Sequence, residues 1–159
     1  MSFELMDFTS SILQKQAVNK ILACNDFTAK YQLTLTIEQA RELAETLSTT
    51  LRDNGRIDFS GGVVDKIIKN FCDSPYLNQQ NYSETLNELT ELFYYFKNQT
   101  LDRISDDDLI KWMNASFDNV CHGSLEMLAG TELERLARNL RYGYDPNYTE
   151  PQETEEENE

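Results

Sequence analysis

Cys72 and His122 are the residues with which this chain would do nucleophilic chemistry, a thiol activated by the single imidazole in the sequence. Asp73 and Tyr76, close behind the cysteine, are the other two candidates to test with them. A reactive thiolate needs a helix N-terminus or a cation beside it. Cys72 instead closes an apolar stripe just before Asp73-Ser74-Pro75, where a helix C-terminus disfavours an anion. Packing is the better account of this cysteine, and a pocket between helices near Cys72 and His122 stays open as an alternative.

A zinc site drawn from Cys24, Cys72, Cys121 and His122 lacks the closely spaced cysteine pairs that organise such centres. No metal site is expected. The phrase from Thr50 to Gly61 imitates a calcium loop, with Gly55 at its sixth position and Ile57 at its eighth. Arg52 at position three and Gly61 at position twelve, where a bidentate glutamate belongs, exclude an ordinary site.

Anion binding at Ser60, Gly61 and Gly62 has a physical basis, because free N–H groups at a helix start attract negative charge and Lys66 follows one turn inside. The glycine-rich loops that hold nucleotides need more glycines after a strand, so helix capping is the simpler expectation. Asp106, Asp107 and Asp108 could bind Mg²⁺ as a cluster, but compensation of the positive end of a helix is the simpler expectation here too. Arg135, Arg138 and Arg141 form a basic row just ahead of an acidic segment. Dipole compensation and a Glu134–Arg138 pair explain the row locally. A sharper hypothesis has the acidic segment fold back on it and compete with an acidic partner.

These residues have to be positioned by helices. Tyr82, Leu86, Leu89, Phe93 and Phe96 recur at helical spacing within NYSETLNELTELFYYFKNQT, and Leu92 and Tyr95 widen the stripe beyond a coiled-coil seam. A first helix is predicted from Ser10 to Cys24. A second starts at the capping box of Thr36 and Gln39 and exits at Asn54-Gly55. Leu33–Thr36 and Arg56–Phe59 are β-prone but too short to flank that helix as strands, so extended linkers are expected. A third helix follows Gly62 and stops before Pro75. Ser105 caps a fifth, whose core face is Leu109, Met113, Phe117 and Val120. Ser124 caps a short sixth helix, Gly130 breaks it, and Thr131 with Glu134 restarts a last helix that Gly143 closes.

The expectation is an all-α fold, a compact bundle of six or seven helices over residues 1–143, with a disordered acidic tail over 144–159. A chain of 159 residues needs no metal or disulfide staple, since a domain of this size buries roughly 68–70% of its unfolded surface. The net charge is −14, and seven of the 28 acids stand between Asp145 and Glu159 with no base among them. Such a chain repels nucleic acid and anionic membrane. The start lacks the basic region of a secretory signal, no apolar run approaches a membrane span, and three scattered cysteines suit a reducing cytoplasm.

The words FCDSPY, NYSETL, ELFYYFKN and GSLEMLAG, in this order, resemble a family of small helical bacterial proteins of unknown function, met mainly in anaerobic Gram-positive bacteria. The likeness covers about residues 10–142. It implies an all-helical cytoplasmic domain and brings no catalytic or binding role to any position. The reading that follows is a non-catalytic interaction or assembly module without cofactor, its partner a protein or a second copy. Tyr94, Tyr95, Trp112, Tyr142, Tyr144 and Tyr148 are its candidate contact anchors. A small enzyme or ligand-binding protein is the alternative, and an acidic decoy for a nucleic-acid-binding protein is a third possibility.

Overall fold

The computed structural model describes residues 2–57 and 62–143, with side chains from residue 12 onward. Six longer helices account for most of them: α1 (Ser2–Ala23), α3 (Ile37–Asp53), α4 (Val64–Phe71), α5 (Tyr82–Gln99), α6 (Asp106–Asp118) and α8 (Glu134–Arg141). Single turns α2 (Asn25–Thr28) and α7 (Leu125–Met127) join them, and no strand occurs among the described residues. The all-α bundle expected from periodicity is what forms. The acidic tail lies outside the described residues.

Helix α5 is the central element, packed against α3, α4, α6 and α8. Its stripe of Tyr82, Leu86, Leu89, Phe93 and Phe96 is buried in one apolar cluster with Leu43 and Leu47 of α3, Ile67, Ile68 and Phe71 of α4, and Leu109, Met113 and Phe117 of α6. The neighbouring tyrosines divide: Tyr94 is buried and Tyr95 is 47% exposed. Two sequence expectations are thereby corrected, that Tyr95 widens the core stripe and that Tyr94 is an outward contact anchor, because Tyr94 packs inward beside Gly62 near Leu47 and Tyr95 stays at the rim.

Helices α3 and α5 run parallel, and polar side chains set their register. The Gln79 amide pairs with both backbone groups of Thr34 at 3.1 and 2.9 Å. Thr46 donates to Asn87, and the Asn98 amide donates to the Asn54 carbonyl at 2.9 Å. The Thr36 capping box is present. Leu33–Thr36 is an extended linker, as its length requires. Asn25 clamps it through both polar atoms of its amide on Leu35, at 3.0 and 2.9 Å, so its backbone groups are satisfied without a sheet.

Three further expectations are corrected. The first helix starts at Ser2 rather than near Ser10. Val120 is 51% exposed beyond the end of α6, and Cys121 occupies the core there. Gly130 does not interrupt the last helix. A π-helical stretch, Leu128–Leu133, carries the chain from α7 into α8, so Thr131 caps nothing. An interior glycine costs only about 1 kcal/mol of helix propensity. Burying the Leu128 and Leu133 side chains outweighs it.

Candidate functional site

The α4–α5 linker and the α6–α7 loop meet, and two of the side chains expected to do chemistry, Tyr76 and His122, come together there. Helix α4 ends because Pro75 forces Ser74 out of helical geometry. Ser74 is buried and donates to an Asp118 carboxylate oxygen at 2.6 Å, while accepting from the Tyr76 N–H at 3.2 Å. Asp118 is an acid at the negative end of α6, a placement that requires a donor nearby. Ser74 supplies it. Tyr76 packs edge-on against Phe117, with ring centroids 6.2 Å apart.

His122 sits in the loop beyond α6 at φ 50°, a left-handed conformation, and Gly123 follows at φ +82°. A Cβ on Gly123 would stand 2.6 Å from the Tyr76 ring, so glycine lets the loop close over the tyrosine. The Tyr76 hydroxyl and His122 Nδ1 are then 3.3 Å apart at the surface. Tyr76 and His122, both chosen from the sequence, are brought together. Ser74 and Asp118 were not chosen. The signals for them were a serine directly before proline and an acid at a helix end.

Cys72 is held apart from this pair. It is 3% exposed, its Sγ donates to the Lys69 carbonyl at 3.5 Å, and no hydrogen bond or ring contact links it to His122 among the described residues. Burial first, and the charge of Asp73 second, push its thiol up from the ordinary value. Asp73 is solvent-exposed. The thiolate is therefore opposed rather than prepared. Cys24 and Cys121 are likewise buried and shifted upward, chiefly by desolvation. Burial also raises Tyr82 to about 12, against a hydrogen bond with Thr28 that lowers it.

No group of three His, Cys, Asp or Glu side chains among the described residues is arranged to hold a metal ion. The calcium-like phrase is a helix end: Thr50 is buried in α3, and the Asn54 side chain donates to its carbonyl at 2.9 Å. Of the proposed anion site, Ser60 and Gly61 lie outside the described residues. Gly62, at φ +77°, is packed so closely that a Cβ would meet Leu47 at 2.8 Å and the Tyr94 hydroxyl at 2.9 Å. Lys66 pairs with Asp107 at 2.9 Å, which raises its pKa through their hydrogen bond. Asp106 pairs with Lys97 at 2.9 Å, so lysines from α4 and α5 meet two acids of the α6 first turn.

The arginine row is divided as well. Arg135 binds the buried Glu132 at 2.7 Å, Arg141 donates to the Gln99 carbonyl at 3.1 Å, and Arg138 is exposed. Arg103, which the sequence reading did not include, joins them by donating to the carbonyls of Leu140 and Arg141 at 2.9 and 3.0 Å.

A family model described as "Family of unknown function (DUF6323)" matches residues 20–146. The chain belongs to that family. The matched segment takes in α3 through α8, the Tyr76–His122 pair and all four of these arginines, so the family's domain includes the region just described. No curated protein and no solved structure matches the chain. No helix among the described residues is long and apolar enough to cross a membrane.

Proposed function

We propose that this member of the family is a non-catalytic cytoplasmic interaction or assembly module, residues 1–143 forming the domain and a protein or a second copy its partner. The observation that carries the reading is an aromatic pair on the outer turn after α1. Phe27 and Tyr31 are 38% and 40% exposed with ring centroids 6.4 Å apart. Lys30 lies over both rings, at 4.3 and 5.4 Å. Exposed aromatics with a cation stacked on them supply large contact area at little cost in side-chain entropy, as contact hot spots do. The thiols, by contrast, are buried and pushed toward the protonated form, and three α6 carboxylates, Asp106, Asp107 and Asp118, are paired with Lys97, Lys66 and Ser74.

Site-specific photo-crosslinking in cells tests this. A crosslinker placed at Phe27 or Tyr31 is expected to trap one defined protein, or a second copy, whereas the same group at the exposed Arg41 of α3 traps none. Equal trapping at all three positions, or none anywhere, would overturn the assignment.

A second reading, a small enzyme or ligand-binding protein, draws on the exposed Tyr76–His122 contact. It requires that His122→Ala abolish an activity or a ligand that Cys72→Ser leaves intact.

A further inference from the structure

The C-termini of α5 and α8 come together, and with them a cluster of positive charge. Leu101 and Asp102 both have positive φ, 59° and 58°, although neither is glycine. Left-handed geometry is unfavourable for side chains bearing a Cβ, so two such residues in succession mark a turn held by its surroundings. This turn carries Arg103 back beneath α8. There its Nη1 meets the carbonyls of Leu140 and Arg141, while Arg141 reaches Gln99 through its own Nη1. Arg138 lies one turn earlier on the exposed arc of α8.

The carbonyls of two helix ends explain why cations are needed here, and each of the two anchored guanidiniums spends a single nitrogen on them. Arg103 and Arg138 are exposed, and none of the three has a carboxylate within ion-pair distance among the described residues. Of the acids nearby, Asp102 is taken by Arg56 and Glu134 stands at the edge of the same arc. Two anchored arginines with the exposed Arg138 one turn away, in a chain of net charge −14, make a place where carboxylates can be held.

The carboxylates at hand are the chain's own. Asp145 follows Arg141 by four residues and begins a segment of seven acids without a base. A short tether presents such a segment at an effective concentration of roughly millimolar order, so even weak pairs are populated. We propose that the segment Asp145–Glu159 seats on the Arg103, Arg138 and Arg141 cluster of its own chain. Charge alone does the seating, and it leaves an acidic partner only what the segment does not occupy. The inference is independent of the function proposed above: the crosslinking probes Phe27 and Tyr31 in the turn after α1, and either can fail without the other.

The test is nuclear magnetic resonance on the full chain at low and high salt. Screening shortens from about 30 Å at 0.01 M to about 3 Å at 1 M, which releases surface pairs. The Nε–Hε signals of Arg103, Arg138 and Arg141 are expected to shift with salt in step with the Glu153–Glu157 amides. Arg138→Gln reduces that shift, and Arg41→Gln on α3 does not. Uncoupled responses, or equal effects of the two substitutions, would overturn the proposal. A coupled response that grows with protein concentration would also overturn it, by assigning the segment to a second copy.

Discussion

Lys97 of α5 and Asp106 at the first turn of α6 form an ion pair of 2.9 Å around a lysine only 7% exposed. The same ammonium donates to the Ile104 carbonyl. One side chain thus closes the α5–α6 turn, holding the loop carbonyl and the first acid of α6 together. Lys97→Met keeps the buried stem and removes the charge. It is expected to cost about 1–3 kcal/mol, because the Ile104 carbonyl loses its donor while the half-exposed Asp106 regains water. Urea denaturation measures it, and a loss below the low end of that range would mean that water replaces the ammonium.

Gly62 and Gly55 both have positive φ but differ in surroundings. A Cβ at Gly62 meets Leu47 and Tyr94, whereas one at Gly55 meets nothing within 4 Å. Gly55→Ala should cost only the conformational strain, about 1–2 kcal/mol. Gly62→Ala adds overpacking of a further ~1–3 kcal/mol. Thermal or urea unfolding of the two variants side by side checks the order. Equal losses would show that the contact between the α4 entry and α3 yields freely.

The buried ionisable groups make stability fall in alkali. Tyr82 moves from 10.0 to about 12, and the thiols of Cys24 and Cys72 are raised from 9.0. The folded state holds these protons more tightly than the unfolded chain. Their contribution is therefore complete below the unfolded pKa values and is lost as pH rises through the folded ones. The urea midpoint should be level with respect to these groups up to about pH 9 and decline from there to pH 12, with Tyr82 accounting for about 2–3 kcal/mol. Tyrosinate absorbance followed against pH separates the residues, since Tyr82 should ionise only with unfolding. Smooth titration of all tyrosines near 10 in the folded protein would refute this.

Glu132 is 6% exposed within the π-helical stretch and binds Arg135. Arg135→Ala strands a buried carboxylate and should cost about 2–4 kcal/mol, more than a surface ion pair is worth. Glu132→Gln added to that variant should restore part of the loss, because an amide is cheaper to bury than a charge. Additive losses in the double variant would show that the two side chains act separately.

Native thiols should resist alkylation. Cys24, Cys72 and Cys121 are buried and shifted toward the protonated form, so iodoacetamide at mildly alkaline pH should modify them much more slowly than in urea-unfolded protein. Mass spectrometry of partly labelled protein ranks them. Rapid labelling of Cys72 alone would revive it as a nucleophile.

Helix ends and apolar faces were legible in the residues because both are local. Thr36, Ser105 and Ser124 each accept from an N–H three residues ahead, and capping depends on little beyond that spacing. The α5 stripe is equally local, since 3.6 residues per turn stacks Leu86, Leu89 and Phe93 whatever surrounds them. Local rules failed where a helix could continue at small cost, as at Gly130. They also failed where two adjacent aromatics competed for one interior, as Tyr94 and Tyr95 do.

What the sequence by itself determined is therefore the helical class, most element boundaries, and the membership of the core. Tertiary structure alone decided which chemical groups meet. Ser74 and Asp118 are 44 residues apart, Tyr76 and His122 46, and Arg103 and Arg141 38. No spacing rule spans such separations, because the packing of α4, α5, α6 and α8 sets them. The same packing took Cys72 out of reach of His122, since an apolar stripe turns its cysteine inward while a left-handed loop turns its histidine out.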